Sequence, residues 1–214
     1  MSSPAARRPW DARLARKLVT PLKNSRVSPN HLTTVRLAVG LAGAAAFLPG
    51  TFLWSNVGAL LMILSNFLDH TDGELARISG KTSRIGHIYD LASDAAVTIL
   101  LFVAIGVGVA AGAGAKATLL FPPAAQGLAA GCAIALIFFL RMRIEDMAGK
   151  AASHQASLGG FETEDVLYLL PLVTLSNAVV PFLLAAAVCA PLFALWVAID
   201  YRRALRRAPL QVKR

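Results

Sequence analysis

The sequence predicts an all-α integral membrane protein: six transmembrane helices preceded by a short amphipathic interfacial helix. Three observations carry that prediction. The 214 residues are 56% hydrophobic, with mean hydropathy +0.60, more apolar than a soluble domain of this size. The apolar residues come in long blocks rather than in alternation, which is the pattern of helical spans. The basic residues cluster at the ends of those blocks, where the positive-inside rule places them.

The elements follow in order. Residues 10–22 place Trp10, Leu14, Leu18 and Leu22 at intervals of four, interleaved with Arg13, Arg16, Lys17 and Lys23. This spacing predicts a basic amphipathic helix lying in the membrane interface. The first 26 residues lack the apolar stretch of a cleavable signal peptide, so this arm is expected to stay in the cytosol. Ser28-Pro29-Asn30 breaks the arm, and a first span runs over 31–48 to the turn at Pro49-Gly50. The second span, 51–78, is longer than the hydrocarbon layer requires; its last turns carry Asp69, Asp72 and Arg77. A polar loop over 79–85 leads to the third span, 86–111, whose first turns carry Asp90 and Asp94. A Gly/Ala-rich link with Lys116 reaches Pro122-Pro123. The fourth span, 124–140, ends in Arg141, Arg143, Glu145 and Asp146. A polar segment follows, then two spans over 165–178 and 180–199 with Pro181 between them, and a basic tail.

Orientation is tested by counting. Of the 21 Lys and Arg, only Arg36 and Lys116 fall outside the segments expected on the cytosolic side or their adjoining helix ends, and Arg36 lies in the first turns of span one. Only Lys116 is thereby assigned to the outer face, so both termini and all four aspartates are expected on the cytosolic side of the inner membrane. The net charge of +9 is thus membrane orientation, and no nucleic-acid partner is expected. Cys132 and Cys189 lie in apolar stretches and read as small packing residues. Gly40, Gly43, Gly58, Gly106, Gly108 and Gly112 permit close helix contact in lipid.

Chemistry concentrates in one stretch. Asp69 and Asp72 are three apart and Asp90 and Asp94 four apart, so each pair shares a helix face. The second and third spans are antiparallel across a short loop, so their acid-bearing ends meet at one depth. Carboxylates at the edge of lipid are costly unless compensated. They either take up protons or hold cations, and an all-oxygen ligand set favours hard divalent ions such as Mg²⁺ or Mn²⁺. His87 reads as an interfacial polar residue, and His70 is expected to point off the Asp69/Asp72 face. Gly73 and Ala76 remove bulk beside the acids, either for helix packing or for close approach of a base or pyrophosphate. Arg77 either grips a phosphate or anchors the helix end.

The pattern Asp69-x2-Asp72-Gly73-x2-Ala76-Arg77-x8-Gly86-x3-Asp90-x3-Asp94 resembles, at every defined position, the signature of the CDP-alcohol phosphotransferase (class I phosphatidyltransferase) family. The span pattern and the segment from Pro29 to Arg36 extend the resemblance over most of the chain. The resemblance implies a six-span transferase domain over 28–203, between an arm (1–27) and a basic tail (204–214). It implies an enzyme that binds a CDP-linked donor and two divalent cations, Mg²⁺ or Mn²⁺. The enzyme would transfer a substituted phosphate to an alcohol and release CMP, in phospholipid biosynthesis. By similarity Asp69, Asp72 and Asp90 are metal ligands, and Asp94 is a metal neighbour and the general base. Asp72, Gly73, Ala76 and Arg77 line the nucleotide and pyrophosphate site, joined by Asn30 and Thr33 from the first span. A homodimer is also implied.

The donor reads as CDP-diacylglycerol, with a CDP-linked small alcohol as the other fit to the signature. For the acceptor (inositol phosphate, glycerol phosphate or an amino-alcohol) the basic residues Lys81, Arg84, Arg141 and Arg143 are candidates, and cytosolic anchoring is their other reading. The acidic run over 160–165 orders the polar loop, caps a helix at its N-terminus or meets a polar or cationic acceptor. Two other functions compete. An intramembrane prenyltransferase shares the Asn66-x2-Asp69-x2-Asp72 spacing but does not need Gly73, Ala76 and Arg77. A cation carrier would place its acids near the bilayer midplane, not at one edge.

Overall fold

The computed structural model describes residues 10–113, 121–148 and 168–207. Regular structure among them is entirely helical. The elements are α1 (Trp10–Val19, continued by a 3₁₀ turn over Thr20–Leu22), α2 (Pro29–Phe47), α3 (Phe52–Ser79), α4 (Arg84–Ala113), α5 (Pro123–Ala148), α6 (Leu170–Leu175) and α7 (Val179–Arg207). Lys116, the 149–164 segment and its acidic run lie outside the described residues.

Local chemistry sets the breaks. Ser28 precedes α2 with Pro29 at the first helical position, and its N–H donates to His31 Nδ1 at 3.3 Å. Proline is suited to that position because its missing N–H is not needed there. Gly80, at φ +69, closes α3 in the left-handed conformation, with its N–H on the Ala76 carbonyl, which glycine adopts without strain. The expected division at Pro181 lies elsewhere. Asn177, at φ 54, makes the turn between α6 and α7, and Pro181 sits in the first turn of α7. The expected fifth span is described only as the six residues of α6 and the turn after it.

Helices α3, α4, α5 and α7 are each long and apolar enough to cross a membrane. Leu53, Leu60, Leu192, Leu195 and Trp196 face outward from them, as lipid-facing side chains do. The 19-residue α2 falls short on hydropathy because its first two turns carry Asn30, His31, Thr33, Thr34 and Arg36. Its buried stripe, Thr33, Arg36, Gly40, Gly43 and Phe47, runs down one side and faces α3 and α4. Beyond it α4 packs on α5 and α5 on α7, while α1 lies along α3. One apolar core joins Phe47, Met62, Leu101, Ile105 and Leu183; a second joins Ile137, Leu140 and Val197.

Without a hydrophobic drive between helices in lipid, close backbone approach supplies the packing. A Cβ on Gly40 would stand 2.8 Å from Ser65 Oγ and 2.9 Å from Val97. That lets α2 sink between α3 and α4. Cys132 and Cys189, read as small packing residues, are both free thiols on exposed positions of α5 and α7. In α1 the faces divide: Ala15 and Val19 are buried, while Leu14 and Leu18 are exposed beside exposed Arg13, Arg16 and Lys17.

Candidate active site

Two cavities mark the two ends of α3 and α4. Ser55 and Gly112 line one; Asp72 and Asp90 line the other. The helices are therefore antiparallel, and both acid pairs arrive at the same end. The acid cavity, about 200 Å³, is lined by Asp69, His70, Asp72, Gly73, Glu74, Arg77 and Asp90. The far one, about 230 Å³, is lined by apolar and neutral groups such as Phe47, Ser55, Thr174 and Asn177. Its described lining includes no charge, so it offers no grip on a phosphate.

Asp69, Asp72 and Asp90 each present a carboxylate oxygen within 4.8 Å of the other two. Three hard anionic donors this close fit a divalent cation of the Mg²⁺ or Mn²⁺ type. Asp94 is outside that trio and reaches it through Arg36. The Arg36 side chain is 4% exposed. Its Nη1 donates to Asp69 and, at 2.5 Å, to Asp94 Oδ1. Its Nη2 donates to Asp90 Oδ1 at 3.0 Å and to the Asp90 carbonyl at 3.3 Å, and Nε stands 4.0 Å from Asp72. One guanidinium thus touches the acids of both helices. Asp72 is the most buried of the four, and the Thr33 hydroxyl donates to its Oδ2 at 2.8 Å. Asp69, Asp90 and Asp94 are partly exposed.

Around the acids, Gly73 faces open space. A Cβ there would meet no described atom within 4 Å, so no described helix packs against it and the missing side chain leaves room over the cavity. Ala76, half-buried one turn on, gives its carbonyl to the cap of α3. Arg77 is 69% exposed and bonds Glu74, itself 1% exposed, which holds the guanidinium at the cavity wall. Gly86 has a different reason to be glycine. Its Cβ would come 2.7 Å from Asn30 Oδ1, so the glycine lets the Asn30 amide lie against α4.

The four acceptor candidates sit outside the described lining of this cavity. Lys81 Nζ donates to the Ser25 carbonyl at 2.8 Å and the Val27 carbonyl at 3.4 Å, tying the 80–83 loop to the arm. Arg84 is exposed at the start of α4. Arg141 stacks 5.2 Å over the Phe193 ring, and Arg143 stands 4.0 Å from Asp146 on the same helix.

The sequence assigns no site role to three residues that the structure brings to the acids. In the sequence Arg36 is a topological charge and the end of the segment from Pro29 to Arg36, with no site role, although an arginine within an apolar run demands a partner. Glu74 was not counted among the acids. His70, expected to point away, lines the cavity, because α3 is open to it on more than one face.

Residues 26–199 match the family model described as CDP-alcohol phosphatidyltransferase. A phosphatidylinositol phosphate synthase of Streptomyces avermitilis is 38% identical over 77 residues, a stretch equal to 36% of this chain and 30% of that protein's length. The crystal structure of the Mycobacterium tuberculosis phosphatidylinositol phosphate synthase with CDP-DAG bound aligns with a TM-score of 0.60 at 22% identity, covering 94% of this chain and 98% of that one. At that identity the likeness is one of fold.

Proposed function

This chain belongs to the CDP-alcohol phosphatidyltransferase family, and from that premise we propose that it transfers the phosphatidyl group of CDP-diacylglycerol to the hydroxyl of an inositol phosphate, releasing CMP. The observation that carries the reading is the meeting of Asp69, Asp72 and Asp90 on a cavity whose wall is left open at Gly73. The acceptor class is supported by the name of the Streptomyces avermitilis relative, which is 38% identical over 77 residues. Residues 28–203 form the transferase unit, and the Lys and Arg distribution supports a cytosolic position for both termini and the site. A homodimer is part of the same reading, supported by the family resemblance.

Asp69, Asp72 and Asp90 would hold divalent cations, which would supply neutralisation of the pyrophosphate and of the departing CMP. Gly73 and Ala76 let the nucleotide approach α3, and Arg77, held by Glu74, pairs with phosphate. Asp94 takes the proton of the acceptor hydroxyl as that oxygen forms a bond to the lipid-bearing phosphorus. The phosphoanhydride bond to CMP breaks in the same displacement.

The test is CMP release by purified protein given CDP-diacylglycerol, Mg²⁺ or Mn²⁺, and a panel of inositol phosphate, glycerol phosphate and amino-alcohols. Release with inositol phosphate alone is expected. Release with another acceptor corrects the substrate, and no release with any of them overturns the reaction.

A further inference from the structure

The role of Arg36 is not contained in the acid motif, and its geometry is specific. Its backbone is pinned: the Ser65 hydroxyl donates to the Arg36 carbonyl at 3.1 Å, and Gly40, one turn on, admits Ser65 and Val97 at close range. From that fixed point the fork divides. One Nη serves Asp69 on α3 and Asp94 on α4, and the other serves Asp90 on α4. A lysine has one ammonium on a flexible stem and lacks this planar fork. Four carboxylates converge where α3 ends and α4 begins, and one buried cation offsets part of the repulsion among them. The oxygens that Arg36 occupies on Asp69 and Asp90 belong to two of the three acids that converge for a metal.

We propose that Arg36 is a positioning residue of this site: a built-in counter-ion that ties α2 to the acid-bearing ends of α3 and α4 and competes with divalent cations for the same carboxylates. It thereby sets the cation concentration at which the site loads. The inference rests on the metal-binding reading above. Competition has a signature that simple structural support lacks. Removing Arg36 weakens the protein most when cations are absent and makes cations bind more tightly.

The experiment is thermal unfolding of the full chain in detergent, wild type against Arg36→Gln, in chelator and across a Mg²⁺ titration. In chelator the variant is expected to melt at least about 5 °C lower, the scale of losing a buried charge partner. In saturating Mg²⁺ most of that gap closes, and the Mg²⁺ midpoint falls roughly tenfold as a like charge leaves the ligand shell. Arg36→Lys, which keeps the charge without the fork, shows the same directions at smaller size, and it carries the test if the glutamine variant does not fold. An equal loss in chelator and in Mg²⁺, or a higher Mg²⁺ midpoint, overturns the counter-ion role and leaves the metal site standing. A wild type that neither Mg²⁺ nor Mn²⁺ stabilises overturns the metal reading itself, and this inference with it.

Discussion

Replacing Gly73 with alanine should make the protein more stable and less active at once. Glycine inside a helix is less favourable than alanine by about 0.8–1 kcal/mol, and position 73 lies well within α3. The methyl group meets no atom of the described residues within 4 Å, so no clash among them offsets that gain. For a chain of this length the gain corresponds to a rise of about 2 °C or more in melting temperature. The same methyl stands in the cavity of about 200 Å³ beside Asp72 and Arg77, where the nucleotide is proposed to lie against the helix. Loss of close approach should lower kcat/KM at least roughly tenfold, about 1.4 kcal/mol of transition-state stabilisation. Differential scanning fluorimetry in detergent reads the first quantity and CMP release reads the second. A lower melting temperature would show that Gly73 packs against something after all. Unchanged kcat/KM would show that the space above it is not used.

Three further outcomes follow from the same geometry. Asp94→Asn is expected to abolish turnover while CDP-donor binding, measured by equilibrium binding of labelled donor, survives; normal turnover refutes the base assignment. Thr33→Val removes the 2.8 Å bond to the buried Asp72 carboxylate and should lower stability by about 1.5–3 kcal/mol, the range for a hydrogen bond to a charged group; chemical denaturation checks it. Gly86→Ala drives a Cβ to 2.7 Å from Asn30 Oδ1 and displaces that amide. If Asn30 contributes to donor binding, Gly86→Ala and Asn30→Ala each raise the donor KM and the double variant is no worse than either; strict additivity would rule out a shared cause.

Much of this site was legible because its logic is local. Spacings of three and four fix which acids share a face, and a short loop after Gly80 brings the two helix ends together. The amphipathic arm was legible for the same reason: a four-residue repeat with charges between is a property of one helix. What escaped depends on neighbours far along the chain. Arg36 looks like an isolated charge in a span because its partners lie 33, 54 and 58 residues away. Gly73 follows Asp72 and Gly86 lies one turn before Asp90, yet among the described residues one faces open space and the other faces Asn30, and only the packing separates them. Pro181 looked like a helix breaker, but in a first turn proline fits, so Asn177 made the turn instead. The two cysteines sit in apolar sequence whether they face the bundle or the lipid, since hydropathy is the same on both sides.

The placement of Arg36 also bears on the order of biogenesis. The ribosome makes it 33 residues ahead of Asp69 and 58 ahead of Asp94, so this cation exists for a time with none of its acids. A lone arginine is poorly tolerated within lipid, and its helix is the long one that falls short on hydropathy. The second helix is therefore expected to gain its hold in the membrane only once the helices bearing Asp69, Asp90 and Asp94 have followed it.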